Sequence, residues 1–311
     1  MAAYADNRLC SKSGTFLRLG FSLAGIYWLC NLFLCYPNIT GLGTHHTPPK
    51  IGKVTMIYGN NTIYERAVNT HKVHSHRFGY PHFILRRPIL DGFWNKYAIL
   101  LSVLLQELEK PPERRLQWLF WTDADTVLMN PNLPLETFLP PPEASDVHML
   151  LTKDWNGMNN GVFPIRVHPW SVELLSAAIA YPIVNPDVEL FWQDQSALSN
   201  ILETNHYFSR SVVYCPLRWF NAYMGLPDGK GLNPRSPEHL QVHRGDLLVH
   251  FPGTPRASLE DTLGPYLDIA EAHRGDWELP LEGTGYVQEI EAFWKRQHQS
   301  SLGNHRSTEK H

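Results

Sequence analysis

The chain has 311 residues, with 27 Lys and Arg against 30 Asp and Glu, for a formal net charge of −3. No Lys/Arg-rich run stands out, which argues against a nucleic-acid partner. The length allows one large domain or two small ones. Ten Trp and thirteen Tyr suit a core first and a cleft that grips sugar rings second.

From Leu19 to Tyr36 the stretch LGFSLAGIYWLCNLFLCY carries no charge; Arg8, Lys12 and Arg18 precede it, and no Lys or Arg follows until Lys50. A helix of that length reaches about 27 Å, enough for the thin bilayers of the early secretory pathway. The basic flank predicts residues 1–18 as a cytoplasmic tail, 19–36 as a single transmembrane signal-anchor and 37–50 as a stem, with the bulk lumenal. A cleaved signal peptide is the competing reading, weakened by the long apolar run and the lack of a small-x-small exit. The sequons Asn38-Ile39-Thr40 and Asn60-Asn61-Thr62 agree with a lumenal bulk. Beyond the span the sole cysteine is Cys215, so no intrachain disulfide is expected there.

KVTMIYGN (53–60) reads as a buried strand ending near Gly59. Residues 62–77 read as a helix, HFIL (82–85) as a second strand, and FWNKYAILLSVLLQELEK (93–110) as an amphipathic helix stopped by Pro111-Pro112. WLFWTD (118–123) is apolar on both faces, hence a central strand. Strand and helix alternate, which predicts an α/β fold with a mostly parallel, Rossmann-like sheet flanked by helices. Ligands of such sheets bind beyond the carboxyl ends of the strands, where Asp123 and Asp125 fall. Two carboxylates leaving one strand at i and i+2 can converge on a hard divalent cation and leave positions for phosphate oxygens.

Three later segments add to WLFWTDADTVLMNP: DWNGMNNGVFPIRV (154–167), FWQDQSAL (191–198) and GDLLVHFPG (245–253). In this order, from about Val54 to Gly253, they resemble the fungal and plant glycosyltransferase family of α-1,2-galactosyltransferases, α-1,6-mannosyltransferases and xyloglucan xylosyltransferases. The resemblance implies a GT-A fold over residues 51–280, followed by a C-terminal helix and tail at 281–311. It also implies a nucleotide-sugar donor, UDP-galactose or GDP-mannose, a divalent metal such as Mn²⁺, and retention of anomeric configuration. Asp123, Asp125 and His250 then form the metal site. Gly59, Lys96, Asp154, Asn156, Asn159, Gly253 and Arg256 fall on the donor side, and Asp194 and Gln195 fall near the anomeric carbon. For Lys96 the competing reading is a helical lysine on a solvated face.

The expected protein is therefore a Golgi hexosyltransferase, single-pass and type II, acting on a glycan acceptor. The rival reading is a catalytically silent, membrane-anchored subunit that assembles with related transferases.

Overall fold

The computed structural model describes residues 50–226, 231–234 and 236–308. The apolar run at 19–36 and the sequon at Asn38 lie outside them, and among the described residues no helix is long and apolar enough to cross a membrane.

In chain order the elements are β1 (Ile51–Met56), α1 (Thr62–Phe78), β2 (His82–Leu85), α2 (Asn95–Glu109), β3 (Trp118–Thr122) and β4 (Thr126–Leu128). There follow β5 (Met149–Asp154), β6 (Gly157–Asn159), β7 (Val162–Arg166), α3 (Pro169–Val184), α4 (Asp194–Thr204), α5 (His206–Ser209) and β8 (Val212–Cys215). β9 (Ala222–Tyr223), β10 (Leu248–His250), α6 (Leu259–Glu271) and α7 (Tyr286–Thr308) complete the chain. Asn61 caps α1 by accepting from the Ile63 and Tyr64 amides, and Gly79 ends it in the left-handed region.

The main sheet has the order β2-β1-β3-β7-β5-β6, with β8 paired to β5. β1, β2 and β3 run parallel, as do β5 and β8, whereas β7 is antiparallel to both β3 and β5. The sheet is thus mostly parallel, as expected, with reversals at β6 and β7. The turn between β5 and β6 is too short for a crossover, so β6 must reverse β5, and β7 continues in the direction of β6 after the two-residue link Asn160-Gly161 and pairs with the same strand. β1 ends sooner than its sequence suggests, because β2 ends at Leu85 and the Ile57 amide makes the last bond to it, at 3.0 Å.

β3 is buried on both faces. Leu119 and Trp121 pack with Tyr97 and Leu100 of α2 and Leu174 of α3, while Trp118 and Phe120 pack with Phe138, Phe220 and Tyr286. α7 adds Ile290, Phe293 and Trp294 to the second cluster, at the spacing of one helical face. Cys215 is buried and free.

Lys53 of β1 is fully buried, and its ammonium lies 2.9 Å from His71 Nδ1 and 3.4 Å from His74 Nδ1. The opposite nitrogens sit at 3.0 Å from Thr126 Oγ1 and 2.8 Å from the Leu133 carbonyl, so both rings fit as neutral Nε2–H tautomers that accept from Lys53. Burial first, then the Lys53 charge, pushes His71 and His74 well down and takes His82 to about 3. These three histidines resist protons that the unfolded chain takes up near pH 6.5. Their contribution is therefore present above that pH and lost as pH falls below it, by about 1.4 kcal/mol per unit for each ring. The thermal midpoint should drop steeply between pH 7 and pH 5. A level midpoint over that range would rule out a neutral cluster.

Candidate functional site

Four segments meet at the carboxyl edge of β1, β3 and β5. Asp123 and Asp125 leave β3, and β4 returns antiparallel to β10 with Thr126 opposite His250. That register places His250 beside the aspartates although more than a hundred residues of sequence separate them. One ligand atom from each of Asp123, Asp125 and His250 lies within 4.8 Å of the others, and His250 Nε2 is 3.5 Å from Asp125 Oδ1. His250 Nδ1 is 2.7 Å from Asn221 Oδ1, which fixes Nδ1–H as a donor and leaves the Nε2 lone pair for a ligand. Burial and the neighbouring Asp125 raise the Asp123 carboxyl against the pull of Lys96. Two carboxylates short of positive charge, with one oriented imidazole, fit a hard divalent cation.

Lys96 opens the first turn of α2, yet it is not on a solvated face. Its side chain is 3 % exposed, and Nζ lies 3.2 Å from Asp123 Oδ1, 3.3 Å from Asp194 Oδ2 and 3.1 Å from the Asn160 carbonyl. Burial disfavours the charge, but Asp123 and Asp194 outweigh it and raise the ammonium above its ordinary value. Lys96 thus ties the metal-type cluster to the candidate catalytic carboxylate. Asp194 begins α4 and is buried; its Oδ2 also accepts from Asn160 Nδ2 at 2.9 Å. Gln195 Oε1 accepts from the Asn160 amide at 3.2 Å.

The β5–β6 hairpin forms another wall. Asp154 Oδ1 accepts from the Asn156 amide at 2.6 Å, and Oδ2 accepts from Asn159 Nδ2 and the Tyr223 hydroxyl. Both oxygens are therefore engaged in shaping the hairpin. Asn159 Oδ1 accepts from Asn221 Nδ2 at 2.8 Å, so Asp154, Asn159, Asn221 and His250 form one hydrogen-bonded chain.

Apart from Asn221, which is buried behind His250, these residues line a cleft of about 400 Å³, together with Gly253 and the aromatic Phe93, Trp155, Phe191 and Trp192. Gly59 and Arg256 do not line it. Gly59 is exposed at φ +72°, and Arg256 lies within electrostatic reach of Tyr64, which also feels Asp125 and Asp123.

Residues 142–258 match the galactosyl transferase GMA12/MNN10 family. The resemblance carried by the four motifs is borne out. An uncharacterised α-1,2-galactosyltransferase of Schizosaccharomyces pombe is 24% identical and aligns over 87% of this chain and 91% of its own length. A probable α-1,6-mannosyltransferase of Saccharomyces cerevisiae is 26% identical over 42% of this chain and 38% of its own. Among solved structures, a glycosyltransferase involved in glycosylation of the major capsid of PBCV-1 superposes with a TM-score of 0.51 at 19% identity, covering 70% of this chain and 99% of that one. The fold is accordingly that of a glycosyltransferase, and the chain is similar to the galactosyl- and mannosyltransferases.

Within the family's matched segment, Asn160, Gly161, Asn221 and Tyr223 stand out from the structure rather than from the sequence. The Gly161 carbonyl accepts from the Asp123 amide at 2.8 Å, and a Cβ on Gly161 would fall 2.1 Å from His250 Cε1. The lone glycine before a strand was the available signal. Gly161→Ala must displace the imidazole, so Mn²⁺ affinity should fall by about 10- to 100-fold with the fold retained. Metal titration with circular dichroism as control checks this, and unchanged affinity would show that His250 does not set the site.

Proposed function

We propose that this chain is a metal-dependent, retaining hexosyltransferase that moves galactose or mannose from UDP-galactose or GDP-mannose to a glycan. The observation that carries the reading is the joining of Asp123, Asp125 and His250 to Asp194 through the buried Lys96 in one cleft. Asp123, Asp125 and His250 would hold the cation. When bound, Mn²⁺ would supply positive charge for the leaving diphosphate. Lys96 Nζ and Asn160 Nδ2 both hold Asp194 Oδ2 in place. Retention takes one of two routes: a carboxylate nucleophile forms a covalent bond as the C1–phosphate bond breaks, or the acceptor attacks from the front face while the leaving phosphate takes its proton and a nearby carboxylate stabilises the positive charge developing on the sugar ring. Asp194 is the cleft's candidate for both roles. Asn221 orients His250 and leaves Nε2 free to ligate.

The silent-subunit reading is opposed by the same cluster, because half-buried, mutually repelling carboxylates are costly where nothing uses them. The deciding experiment incubates the purified protein with UDP-galactose and GDP-mannose, with and without Mn²⁺, and follows nucleotide release with and without glycan acceptors. Metal-dependent turnover of one donor supports the enzyme; turnover of neither supports the subunit.

The basic flank before Leu19 and the uncharged run after it support a single-pass type II placement in the Golgi membrane with a lumenal catalytic region. Protease added outside intact vesicles should spare everything after Tyr36, and digestion of the bulk would overturn that orientation.

A further inference from the structure

Large aromatic side chains are left exposed around the mouth of the cleft. Phe191 is 73% exposed, Trp155 62%, Phe93 53% and Trp192 51%, and all four line the same cavity as the metal-type cluster. Surface apolar residues scattered singly need no explanation, but a group of aromatics at one mouth marks a place where a partner binds.

These rings are exposed yet held. Phe191 and Trp192 meet edge to face, with centroids 4.7 Å apart at 86°. The Trp192 amide donates to Ser196 Oγ at 2.8 Å, and the Gln193 amide donates to the Leu190 carbonyl at 2.9 Å, which fastens the loop to the first turn of α4. Gln193 takes φ +47°, an uncommon conformation for a side chain of its size, between Trp192 and Asp194. On the β5–β6 hairpin, Gly157 at φ +102° makes the turn that carries Trp155, whose ring meets Tyr223 edge to face at 5.2 Å. Pre-set aromatic surfaces with few rotatable bonds bind at low entropic cost.

The chemistry of the lining selects the occupant. A sugar ring offers an apolar face of C–H groups and a rim of hydroxyls, so it needs an aromatic surface beside hydrogen-bonding amides. Asn156, Gln193 and Gln195 line the cleft with the aromatic rings. Charge narrows the choice further. Asp123, Asp125, Asp154 and Asp194 face a single lining cation, Lys96, which two of them already hold. With Asp123 and Asp125 given to the metal and Lys96 held by Asp123 and Asp194, the cleft lining offers no further Lys or Arg among the described residues to pair with a phosphorylated or acidic acceptor, whereas an uncharged one needs none.

We infer that Phe191 and Trp192 before α4, with Trp155 on the β5–β6 hairpin, form the acceptor subsite, and that its occupant is an uncharged oligosaccharide whose ring stacks on them. The inference rests on the reading of the cleft as a hexosyltransferase site. Phe191 and Trp192 lie two or three residues from Asp194, so a ring seated on them is tethered close to the candidate catalytic carboxylate.

The test uses the full chain with Mn²⁺, linear mannose and glucose oligosaccharides of two to five units as acceptor probes, and UDP and GDP as donor-side probes. In Phe191→Ala/Trp192→Ala the acceptor KM should rise at least about tenfold, while the Kd of the nucleotide that the wild type binds changes less than about twofold. Phe191→Tyr and Trp192→Phe keep an aromatic face and should restore most of the loss. Oligosaccharide added to the nucleotide-bound wild type should quench tryptophan fluorescence, and the double variant should lose the response. An unchanged acceptor KM would overturn the subsite, and so would a raised nucleotide Kd, which would mean that the rings stack on the donor base. Better binding of a phosphorylated oligosaccharide than of its neutral counterpart would overturn the uncharged class. If the wild type turns over neither donor while oligosaccharide still quenches and the double variant does not, the subsite stands and the transferase reading fails. Absence of quenching in the wild type would sink the subsite even with donor turnover intact.

Discussion

Asp125→Asn should abolish sugar transfer and weaken donor binding together, by roughly a thousandfold in kcat/KM, because several kcal/mol of charge stabilisation on the leaving diphosphate go with the cation. Asp125 is the cleaner probe of the pair. Its Oδ1 lies 3.5 Å from His250 Nε2, and no Lys or Arg pairs with it among the described residues. Asp123 also accepts from Trp121 Nε1 at 2.7 Å and pairs with Lys96 at 3.2 Å, so Asp123→Asn disturbs the partner of Asp194 as well as the cation site. High Mn²⁺ should accordingly restore part of the activity of Asp125→Asn and little of that of Asp123→Asn. Chelator should bring wild-type activity down to the level of these variants. Undiminished transfer in chelator, or in Asp125→Asn at low Mn²⁺, would remove the metal from the mechanism.

The elements that the sequence reveals best are those set by local pattern. α1, β2 and β3 carry their own periodicity and stop signals, and β3 fulfils the expectation of a strand buried on both faces. The reversal at β7 is less visible, since a short apolar run does not state its direction. Asp123 and Asp125 announce themselves by their place at the end of a buried strand. His250 does not: the β4–β10 pairing that brings it to them is non-local, and only the family resemblance pointed there. Asn221 and Tyr223 sit in WFNAY, which reads as an ordinary apolar strand, because hydrogen bonding to His250 and Asp154 is a property of the folded arrangement alone.

Lys96 shows the same limit more sharply. Helical periodicity offers a solvated face for a lysine, and no acidic residue stands three or four positions from Lys96 to suggest a partner. Its partners come from the end of β3 and the start of α4, which the fold delivers to the N-terminal turn of α2. Removing one partner of such a buried set leaves the others uncompensated, which makes the choice of substitution at Asp194 important.

Asp194→Asn is the substitution that leaves this set most nearly intact. Oδ2 receives Asn160 Nδ2 at 2.9 Å and Lys96 Nζ at 3.3 Å, while no hydrogen bond to Oδ1 is recorded among the described residues. An asparagine can put its carbonyl oxygen in the Oδ2 position and keep both donors; its amide nitrogen then takes the Oδ1 position, where no protein group is displaced. Lys96 still holds Asp123. Shape and local hydrogen bonding persist, and the negative charge is what disappears. If Oδ1 faces the anomeric carbon as nucleophile, or steadies the positive charge that develops there, kcat should fall by about 10²- to 10⁴-fold while the donor Kd stays within about threefold. The two roles separate under a fluorinated donor that slows breakdown of a covalent intermediate: a nucleophile accumulates a glycosyl adduct on Asp194, detectable by mass spectrometry, and a charge stabiliser does not. Wild-type turnover in Asp194→Asn would make the residue a structural counterion for Lys96. A large rise in donor Kd with unchanged kcat would instead place it on the binding side of the cleft, with the chemical step assigned elsewhere.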